Sequence, residues 1–431
     1  MITRFGLAVG FIICIAVVSV AACGPTELNC TPNTCSMGCC NASGTCVSGK
    51  DNGACGKSGL SCSACASDQH CGGTGACVAG APMATVITAT ASLPDVTWVV
   101  DKSGSMLSPI ESTGACPAGC GQSNPCPAGC STRWGTIRAV LGAELTASAT
   151  SARHSGVLFP TDNTCGVPMA FDVAPTTDVE PDLSALANRL ISALDAAKPT
   201  GGTPTAQSLQ LLTGVTGFRT DERDHLVVLI TDGVPNCNPK NPNTCDNITT
   251  CRCTLNTCAA SSCSLGCLDE AATGKAVAEL SAAGARVLVV AVGLEVATTD
   301  AEKVLSHLAQ SSIEKLSCPN ATDAECGPDN TCDTSTLRCS LPYFVMRRAI
   351  AGSGGTSPTS VFGRIDARIR AATRCRYNLS DTTGATLIID GVAHARGDGW
   401  DIEGVTVARL SGATCNAVLA NPDAKISFEA R

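Results

Sequence analysis

The sequence predicts an α/β fold built on a doubly wound, mostly parallel sheet with disulfide-rich insertions. Between residues 93 and 375, apolar runs of strand length alternate with segments of helical periodicity, which is typical of a parallel sheet covered on both faces. Cysteine-rich inserts interrupt this alternation at 111–131, 237–267 and 318–341. A small Cys-rich module precedes the central segment at 23–80, and a small β extension follows it at 376–431.

The chain begins with the pattern of an exported lipoprotein. One arginine precedes an uncharged apolar run from Phe5 to Ala22, and the run ends in small residues at Cys23. This pattern predicts a secretory signal peptide over 1–22. Residues 20–23, VAAC, resemble the bacterial lipoprotein box, in which the cysteine is acylated. We therefore expect a lipid anchor at Cys23, in the outer membrane and on the cell surface. An uncleaved membrane helix is the alternative, because the run is long enough to span a bilayer.

Cysteine is the strongest compositional signal, with 30 in the chain. In an exported protein this number predicts disulfides. Zinc is the alternative, since Cys62 and Cys65 have a CxxC spacing. The ten cysteines of 30–77 lie among almost no aliphatic residues, so this segment must be stapled rather than held by a core. We interpret 23–80 as a lipidated spacer, with a carbohydrate- or protein-binding module as the alternative, and 81–92 as a linker of small residues.

The elements of the central segment follow from their periodicity. In the first helix Trp134, Ile137, Leu141 and Leu145 recur at helical spacing. The strands are short apolar runs bounded by polar residues and glycine. In chain order we predict a strand at 95–100, a helix at 133–146, a strand at 154–159, helices at 182–197 and from Thr203, a strand at 225–233, a helix at 268–283, a strand at 285–293 and helices at 300–310 and 358–375.

Oxygen-bearing side chains follow three of these elements. Asp101, Ser103 and Ser105 come after the first strand, Thr203 lies in TGGTPT, and Asp232 comes after the strand of VLITDG. Loops at the carboxyl ends of parallel strands meet at one edge of a sheet, so we expect the five side chains to lie close together. Hard oxygens suit Mg²⁺ first, or Mn²⁺ or Ca²⁺, rather than zinc. The sequence therefore predicts a divalent cation site that a carboxylate of a partner can complete.

The segments DKSGS, GGTPT and TDG together resemble the metal-ion-dependent adhesion site of the von Willebrand factor A, or integrin I-like, domain family. The resemblance implies a von Willebrand factor A (Rossmann-like) fold over the central segment. It also implies direct ligation by Ser103, Ser105 and often Thr203, with Asp101 and Asp232 acting largely through water. Shifts of the last helix would regulate affinity. A site that no longer binds metal is the alternative.

The layout of the Cys-rich inserts on a lipoprotein resembles the gliding-motility adhesin lipoproteins of myxobacteria. The resemblance implies a cell-surface adhesin that binds an extracellular polymer or protein offering a carboxylate, in gliding motility or substrate attachment, and in contact with an envelope motility complex. A periplasm-facing envelope scaffold that uses the same metal site is the alternative. The ten-Cys N-terminal module departs from this pattern, which leaves the ligand open.

The inserts and the extension carry further expectations. The inserts at 111–131 and 237–267 flank the metal site and form either a rigid rim or devices for stability alone. We expect Cys165 to pair with a cysteine of the second insert, and Cys375 with Cys415. The insert at 318–341 is expected to lie away from the metal.

Catalysis and nucleic-acid binding are not expected. The five histidines are scattered, and the chain contains neither HExxH nor GxSxG. The net charge is −8, the aromatic content is 3%, and no cluster of Lys and Arg occurs. The sequence thus favours a binding protein over an enzyme.

Overall fold

A computed structural model describes residues 30–66, 69–79, 85–110, 116–117, 120, 126–176, 181–214, 223–232, 235–243, 251–254, 263–293, 299–313, 316–318, 321–322, 326, 330–346, 358–421 and 423–430. The predicted signal peptide and Cys23 lie outside the described residues. The chain divides into two units, one of Met1–Thr85 with Arg431 and one of Val86–Ala430. None of the helices in the described ranges is both long enough and apolar enough to cross a bilayer.

Disulfides hold the first unit together. Its strands pair into short hairpins: β1 (Cys39–Cys40), β2 (Cys46–Val47), β3 (Lys50–Asp51), β4 (Ala54–Cys55), β5 (Gln69–Cys71) and β6 (Cys77–Ala79). The ten cysteines of residues 30–77 form five bonds: Cys30–Cys40, Cys35–Cys46, Cys39–Cys62, Cys55–Cys71 and Cys65–Cys77. Cysteines that approach one another closely, such as Cys30, Cys35 and Cys46, are all oxidised. The disulfide-rich prediction is confirmed, and these cysteines offer no thiolate to zinc.

The remaining elements include the strands and helices that the periodicity predicts for the central segment. The strands are β7 (Thr85–Ile87), β8 (Ala89–Ala91), β9 (Asp95–Asp101), β10 (Arg153–Phe159), β11 (His225–Thr231), β12 (Arg286–Val292), β13 (Cys332–Asp333), β14 (Arg338–Cys339), β15 (Phe344–Met346), β16 (Arg376–Leu379), β17 (Ala385–Ile389), β18 (Val392–His394), β19 (Trp400–Glu403), β20 (Val407–Leu410) and β21 (Ile426–Ala430). The helices are α1 (Arg133–Ala147), α2 (Leu183–Ala196), α3 (Thr205–Thr213), α4 (Cys263–Gly266), α5 (Glu270–Ala282), α6 (Thr299–Gln310), α7 (Pro358–Arg374) and α8 (Gly412–Ala420).

Five of these strands form one parallel sheet in the order β10-β9-β11-β12-β15. Every residue of β9, β10 and β11 is buried, as expected of strands covered on both faces. The mixed α/β class and the parallel sheet are therefore confirmed. Because β9 lies between β10 and β11, the segments that follow these three strands meet at one edge of the sheet.

Two separate apolar clusters lie on the two faces of the sheet. Alternate residues of a strand point to opposite faces, so Trp98 belongs to one cluster and Val99 to the other. Helices α1, α2 and α7 contribute to the cluster of Trp98, and α3, α5 and α6 contribute to that of Val99. Side-chain caps begin two of the helices on the first face: Thr132 Oγ1 accepts a hydrogen bond from the backbone N–H of Gly135 at α1, and Asp182 caps α2 in the same way.

The expected linker at 81–92 is instead partly strand. Residues 81–84 lie outside the described residues, but β7 and β8 occupy most of the rest. The β extension consists of two antiparallel sheets, β19-β20-β16-β8 and β18-β17-β21-β7, together with α8. The segment TVITATA, interpreted from the sequence as a small-residue linker, has β-branched residues at five of its seven positions, and such residues are enriched in strands. The extension is therefore built from both sides of the central segment.

Among the insert disulfides that the structure describes, five join cysteines close in the chain and one is long-range. The local bonds are Cys116–Cys130, Cys120–Cys126, Cys251–Cys267, Cys318–Cys332 and Cys326–Cys339. The long-range bond is Cys165–Cys237, whose partners have a sequence separation of 72. Cys375 is joined to Cys415. The insert at 318–341 is more than a surface appendage, because Cys318, Cys326 and Cys339 are buried in the same cluster as Trp98.

Candidate metal-binding site

The site begins where β9 ends. Asp101 is its last residue and is fully buried. One carboxylate oxygen, Oδ1, accepts a hydrogen bond of 2.7 Å from the backbone N–H of Ser103, which is the local turn that aspartate favours. The other, Oδ2, accepts one of 2.7 Å from the hydroxyl of Thr231, the last residue of β11. Both oxygens are thus held in place by neighbouring strand ends.

Three further side chains complete a cluster around this turn. The hydroxyl oxygens of Ser103 and Ser105 lie 3.0 Å apart, and Ser105 Oγ donates a hydrogen bond of 2.8 Å to Asp232 Oδ1. Asp232 directly follows β11, whose Ile230 pairs with Val100 of β9. Adjacent parallel strands that end in register therefore bring four of the five predicted site residues together.

Thr203, the fifth, reaches the cluster through its backbone neighbours. It is buried, and the carbonyl of nearby Gly201 accepts a hydrogen bond of 3.0 Å from the N–H of Gly104, between the two serines. The N–H of Thr203 donates to Asn236 Oδ1 at 2.7 Å, and the N–H of Asn236 donates back to the carbonyl of Thr203 at 2.9 Å. The threonine loop is thus fixed beside the serines on one side and to the segment after β11 on the other.

Asn236 is a site residue that the sequence reasoning missed. Asn236 holds Thr203 through its Oδ1. Its Nδ2 donates a hydrogen bond of 2.9 Å to Oγ1 of Thr254, within the insert at 237–267. A single buried amide therefore connects the threonine loop to that insert. The signal was an asparagine four residues after the site aspartate, in the sequence Pro-Asn-Cys, and it could have been identified only by knowing which loop lies opposite.

A disulfide packs against the same loop. Cys165–Cys237 joins the segment after β10 to the segment after β11. The N–H of Gly202 donates a hydrogen bond of 2.6 Å to the carbonyl of Thr164. A Cβ atom on Gly202 would lie only 2.4 Å from Sγ of Cys237. The glycine is needed for this close approach of protein backbone. Covalent and hydrogen-bonded contacts together fix the position of Thr203.

Burial shapes the electrostatics of the two aspartates. Burial first, and then the nearby charge of Asp232, together raise the pKa of Asp101 to about 7, against the hydrogen bonds from Ser103 and Thr231. Burial also raises the pKa of Asp232, while Arg133 opposes that shift. Two carboxylates that are buried side by side favour the uptake of positive charge.

Arg133 is the second residue that the sequence reasoning missed. It is the first residue of α1, and only 2% of its side chain is exposed. Its Nη1 lies 2.5 Å from Asp232 Oδ2 and donates a longer hydrogen bond of 3.4 Å to the carbonyl of Ser105. A Cβ atom on Gly293, which follows β12, would lie 2.6 Å from Arg133 Nε, so the guanidinium passes directly over glycine backbone. The available signal was an arginine in the first turn of a helix, where the helix dipole disfavours positive charge.

The donor set fits a hard divalent cation. Mg²⁺ and Mn²⁺ take oxygen ligands, and adjacent vertices of an octahedron with Mg²⁺–oxygen distances of 2.0–2.1 Å lie about 2.9 Å apart. The spacings Ser103 Oγ to Ser105 Oγ and Ser105 Oγ to Asp232 Oδ1 are 3.0 and 2.8 Å. Ser103, Ser105 and Asp232 would hold the ion, with Asp101 behind them and Thr203 on the neighbouring loop.

No protein family model and no curated protein matches this chain. Among solved structures, it is similar to the pilus adhesin SpaC from Lactobacillus rhamnosus GG, with 14% identity, a TM-score of 0.39, and coverage of 78% of this chain and 39% of that one. It is also similar to an aerotolerance-related membrane protein from Bacteroides fragilis NCTC 9343, with 13% identity, a TM-score of 0.34, and coverage of 64% and 98%. A third is the manganese-loaded TRAP protein of Plasmodium vivax, with 15% identity, a TM-score of 0.28, and coverage of 48% and 60%. The chain spans about two fifths of the length of SpaC.

Proposed function

We propose that this chain is a cell-surface adhesin of the von Willebrand factor A type, which binds a carboxylate-bearing ligand through a divalent cation. One observation carries the proposal: the hydroxyls of Ser103 and Ser105 and the buried carboxylates of Asp101 and Asp232 form one hydrogen-bonded cluster. When bound, the cation supplies a Lewis-acidic position for an external carboxylate oxygen.

The residues of the cluster have different roles in binding the cation. The serine hydroxyls and Asp232 face the ion, while Asp101 is held by Ser103 and Thr231 so that its charge stays fixed behind them. The stapled segments after β10 and β11 limit which ligands reach the site. Because these groups are preorganised by hydrogen bonds and a disulfide, little side-chain entropy is lost on binding.

The role proposed is binding without catalysis. The two histidines at strand starts serve the fold: His154 accepts a hydrogen bond from Trp98 and contacts Ser148, and His225 lies 3.5 Å from Asp95. Asp95 and His225 begin β9 and β11, so this pair is at the sheet edge opposite the cluster. The proposal includes a lipid anchor at Cys23, the outer surface of the cell, and participation in gliding or attachment to a substrate.

The test is the adhesion of live cells that carry Asp101→Ala, with protein level and surface exposure matched to wild type. We expect a large loss of adhesion, and the same loss when wild-type cells are treated with a chelator. The control is Asp398→Ala, which removes an exposed carboxylate from the Arg396-Gly397-Asp398 turn of the β extension. Unchanged adhesion in Asp101→Ala, with Mn²⁺ binding lost, would contradict the adhesin and favour an envelope scaffold.

A further inference from the structure

We propose that Arg133 is a built-in counter-cation of the metal site: it weakens the binding of the divalent ion and gives the loaded site the positive charge that captures an anionic ligand. This inference rests on the proposed function, because it concerns how the cation affinity and the charge of the proposed metal site are set. It concerns a residue outside the five that the sequence motif contains.

The first step is the division of Asp232 between two partners. Its Oδ2 faces Nη1 of Arg133 at 2.5 Å, and its Oδ1 accepts the hydroxyl of Ser105 at 2.8 Å. The arginine thus pairs with the carboxylate oxygen that the hydroxyl of Ser105 does not use. A cation held by the serines and Oδ1 leaves this ion pair in place, so Arg133 and the cation share one aspartate.

The second step is that Arg133 cannot swing out to solvent. The side chain of Arg133 is 2% exposed, and the facing side chain of Asp232 is fully buried. Gly293 lies directly against the guanidinium of Arg133, and the N–H of Gly293 donates a hydrogen bond of 2.9 Å to the carbonyl of Met346. The carbonyl of Ser105 accepts a further, longer hydrogen bond. The positive charge is therefore a permanent part of the site rather than a mobile surface group.

The third step is the charge balance. Asp101 and Asp232 carry two negative charges when ionised and Arg133 carries one positive charge, so these three side chains have a combined formal charge of −1 before a divalent cation binds and +1 with the cation included. Without Arg133 these values would be −2 and 0. Like charges at short range in a buried site repel strongly. Arg133 therefore opposes the cation, and it leaves the loaded site attractive to a carboxylate.

The two effects have opposite signs, and this provides a sharp test. In purified Arg133→Met protein at pH 8, we expect the Kd for Mn²⁺, measured by calorimetry, to fall on the order of tenfold relative to wild type. In cells that carry the same variant, with Mn²⁺ saturating, we expect adhesion to decrease. Arg133→Lys keeps the charge and should lie near wild type in both measurements.

The matched control is Arg138→Met, on the same helix. The side chain of Arg138 is half exposed and lies 3.7 Å from Asp195, far less tightly paired than Arg133. It should change neither measurement. An unchanged or weakened Mn²⁺ affinity in Arg133→Met, with wild-type binding intact, would overturn the inference and leave the proposed function standing. Absence of Mn²⁺ binding in wild type would instead contradict the proposed function.

A measurement on wild-type protein covers the case in which Arg133→Met fails to fold. The side-chain Nε–H resonance of Arg133, assigned by its loss in Arg133→Lys, is followed by NMR during titration with Mg²⁺. We expect it to shift and to saturate with the same midpoint as Mg²⁺ binding. A resonance that does not move while Mg²⁺ binds would overturn the inference, because a counter-cation that shares Asp232 must sense the ion.

Discussion

At the scale of single residues, burial makes the ionised form of an aspartate in the candidate metal site unfavourable. Asp101 is fully buried next to the charge of Asp232, and its pKa is raised to about 7. At pH 8 its ionised form therefore destabilises the folded state, since the pKa in the unfolded chain is near 3.9. Function and stability are in conflict at this position, as is common in binding sites.

This conflict predicts the behaviour of Asp101→Asn. The amide keeps the shape and can still accept from the N–H of Ser103, but it carries no charge. We expect the metal-free variant to gain about 1–3 kcal/mol in free energy of unfolding at pH 8, and to lose all stabilisation by Mn²⁺. Denaturation with urea, in EDTA and in Mn²⁺, measures both. A variant that Mn²⁺ still stabilises as strongly as wild type would show that Asp101 is outside the cation site.

His154 gives the fold a dependence on pH that is separate from the metal. Burial lowers its pKa to about 4, against about 6.5 in the unfolded chain. Between these values the unfolded chain binds a proton that the folded protein does not, so stability falls as the pH is lowered. Glu144 acts in the opposite direction, because burial, followed by repulsion from Asp366, raises its pKa to about 7.

The comparison that isolates His154 is wild type against His154→Gln. On going from pH 7 to pH 5 in EDTA, the variant should gain about 2 kcal/mol relative to wild type, because the histidine penalty at pH 5 is removed. Glu144 and the site aspartates contribute equally to both proteins and cancel. Urea denaturation at the two pH values measures the difference, and parallel pH profiles would contradict it.

At the scale of elements, the strands before the central segment matter as much as those after it. Ile87 of β7 is buried with Trp400, Leu387 and Phe428, whereas its neighbour Val86 is 72% exposed. Successive residues of a strand face opposite sides, so the two positions experience different environments in the same element. A linker would not distinguish between them.

This difference predicts the result of one substitution at each position. Ile87→Asp should cost about 3 kcal/mol or more, because it buries an unpaired charge among apolar side chains. Val86→Asp should change stability by less than about 0.5 kcal/mol, since it lies on the exposed face of an edge strand. Chemical denaturation measures both. Equal losses of stability in the two variants would indicate that this segment is a linker and not a strand of the sheet.

At the scale of the whole molecule, disulfides have two different roles: they stabilise the fold, and one of them also positions the threonine loop. Cys375–Cys415 closes a loop of 40 residues within the β extension, and Cys165–Cys237 closes one of 72 residues beside the threonine loop. By loop entropy alone each contributes about 4 kcal/mol to stability. Only the second bond lies against Gly202 and so helps to position Thr203.

The pair of double variants to serine separates these roles. Cys165→Ser with Cys237→Ser and Cys375→Ser with Cys415→Ser should lose similar amounts of unfolding free energy. Only the first should weaken Mn²⁺ binding, by several-fold, because the threonine loop loses a fixed neighbour. Calorimetry on both proteins at a temperature where each is folded checks this. Equal Mn²⁺ affinity in the two double variants would show that Cys165–Cys237 contributes to stability alone.

Local patterns in the sequence were enough to predict the parallel α/β sheet, its helices to within a few residues, the disulfide-rich segments and the polar residues at the strand ends. These follow from local patterns: apolar runs set β9 and β11, and parallel strands bring Asp101 and Asp232 to one edge whatever the details of the loops. Three further contacts are visible only in the folded protein: Arg133 pairs with Asp232, Asn236 holds Thr203, and β7 and β8 complete the C-terminal sheets. These contacts join residues that are distant in the chain. No local periodicity encodes them, since each depends on which surfaces meet after the sheet has formed.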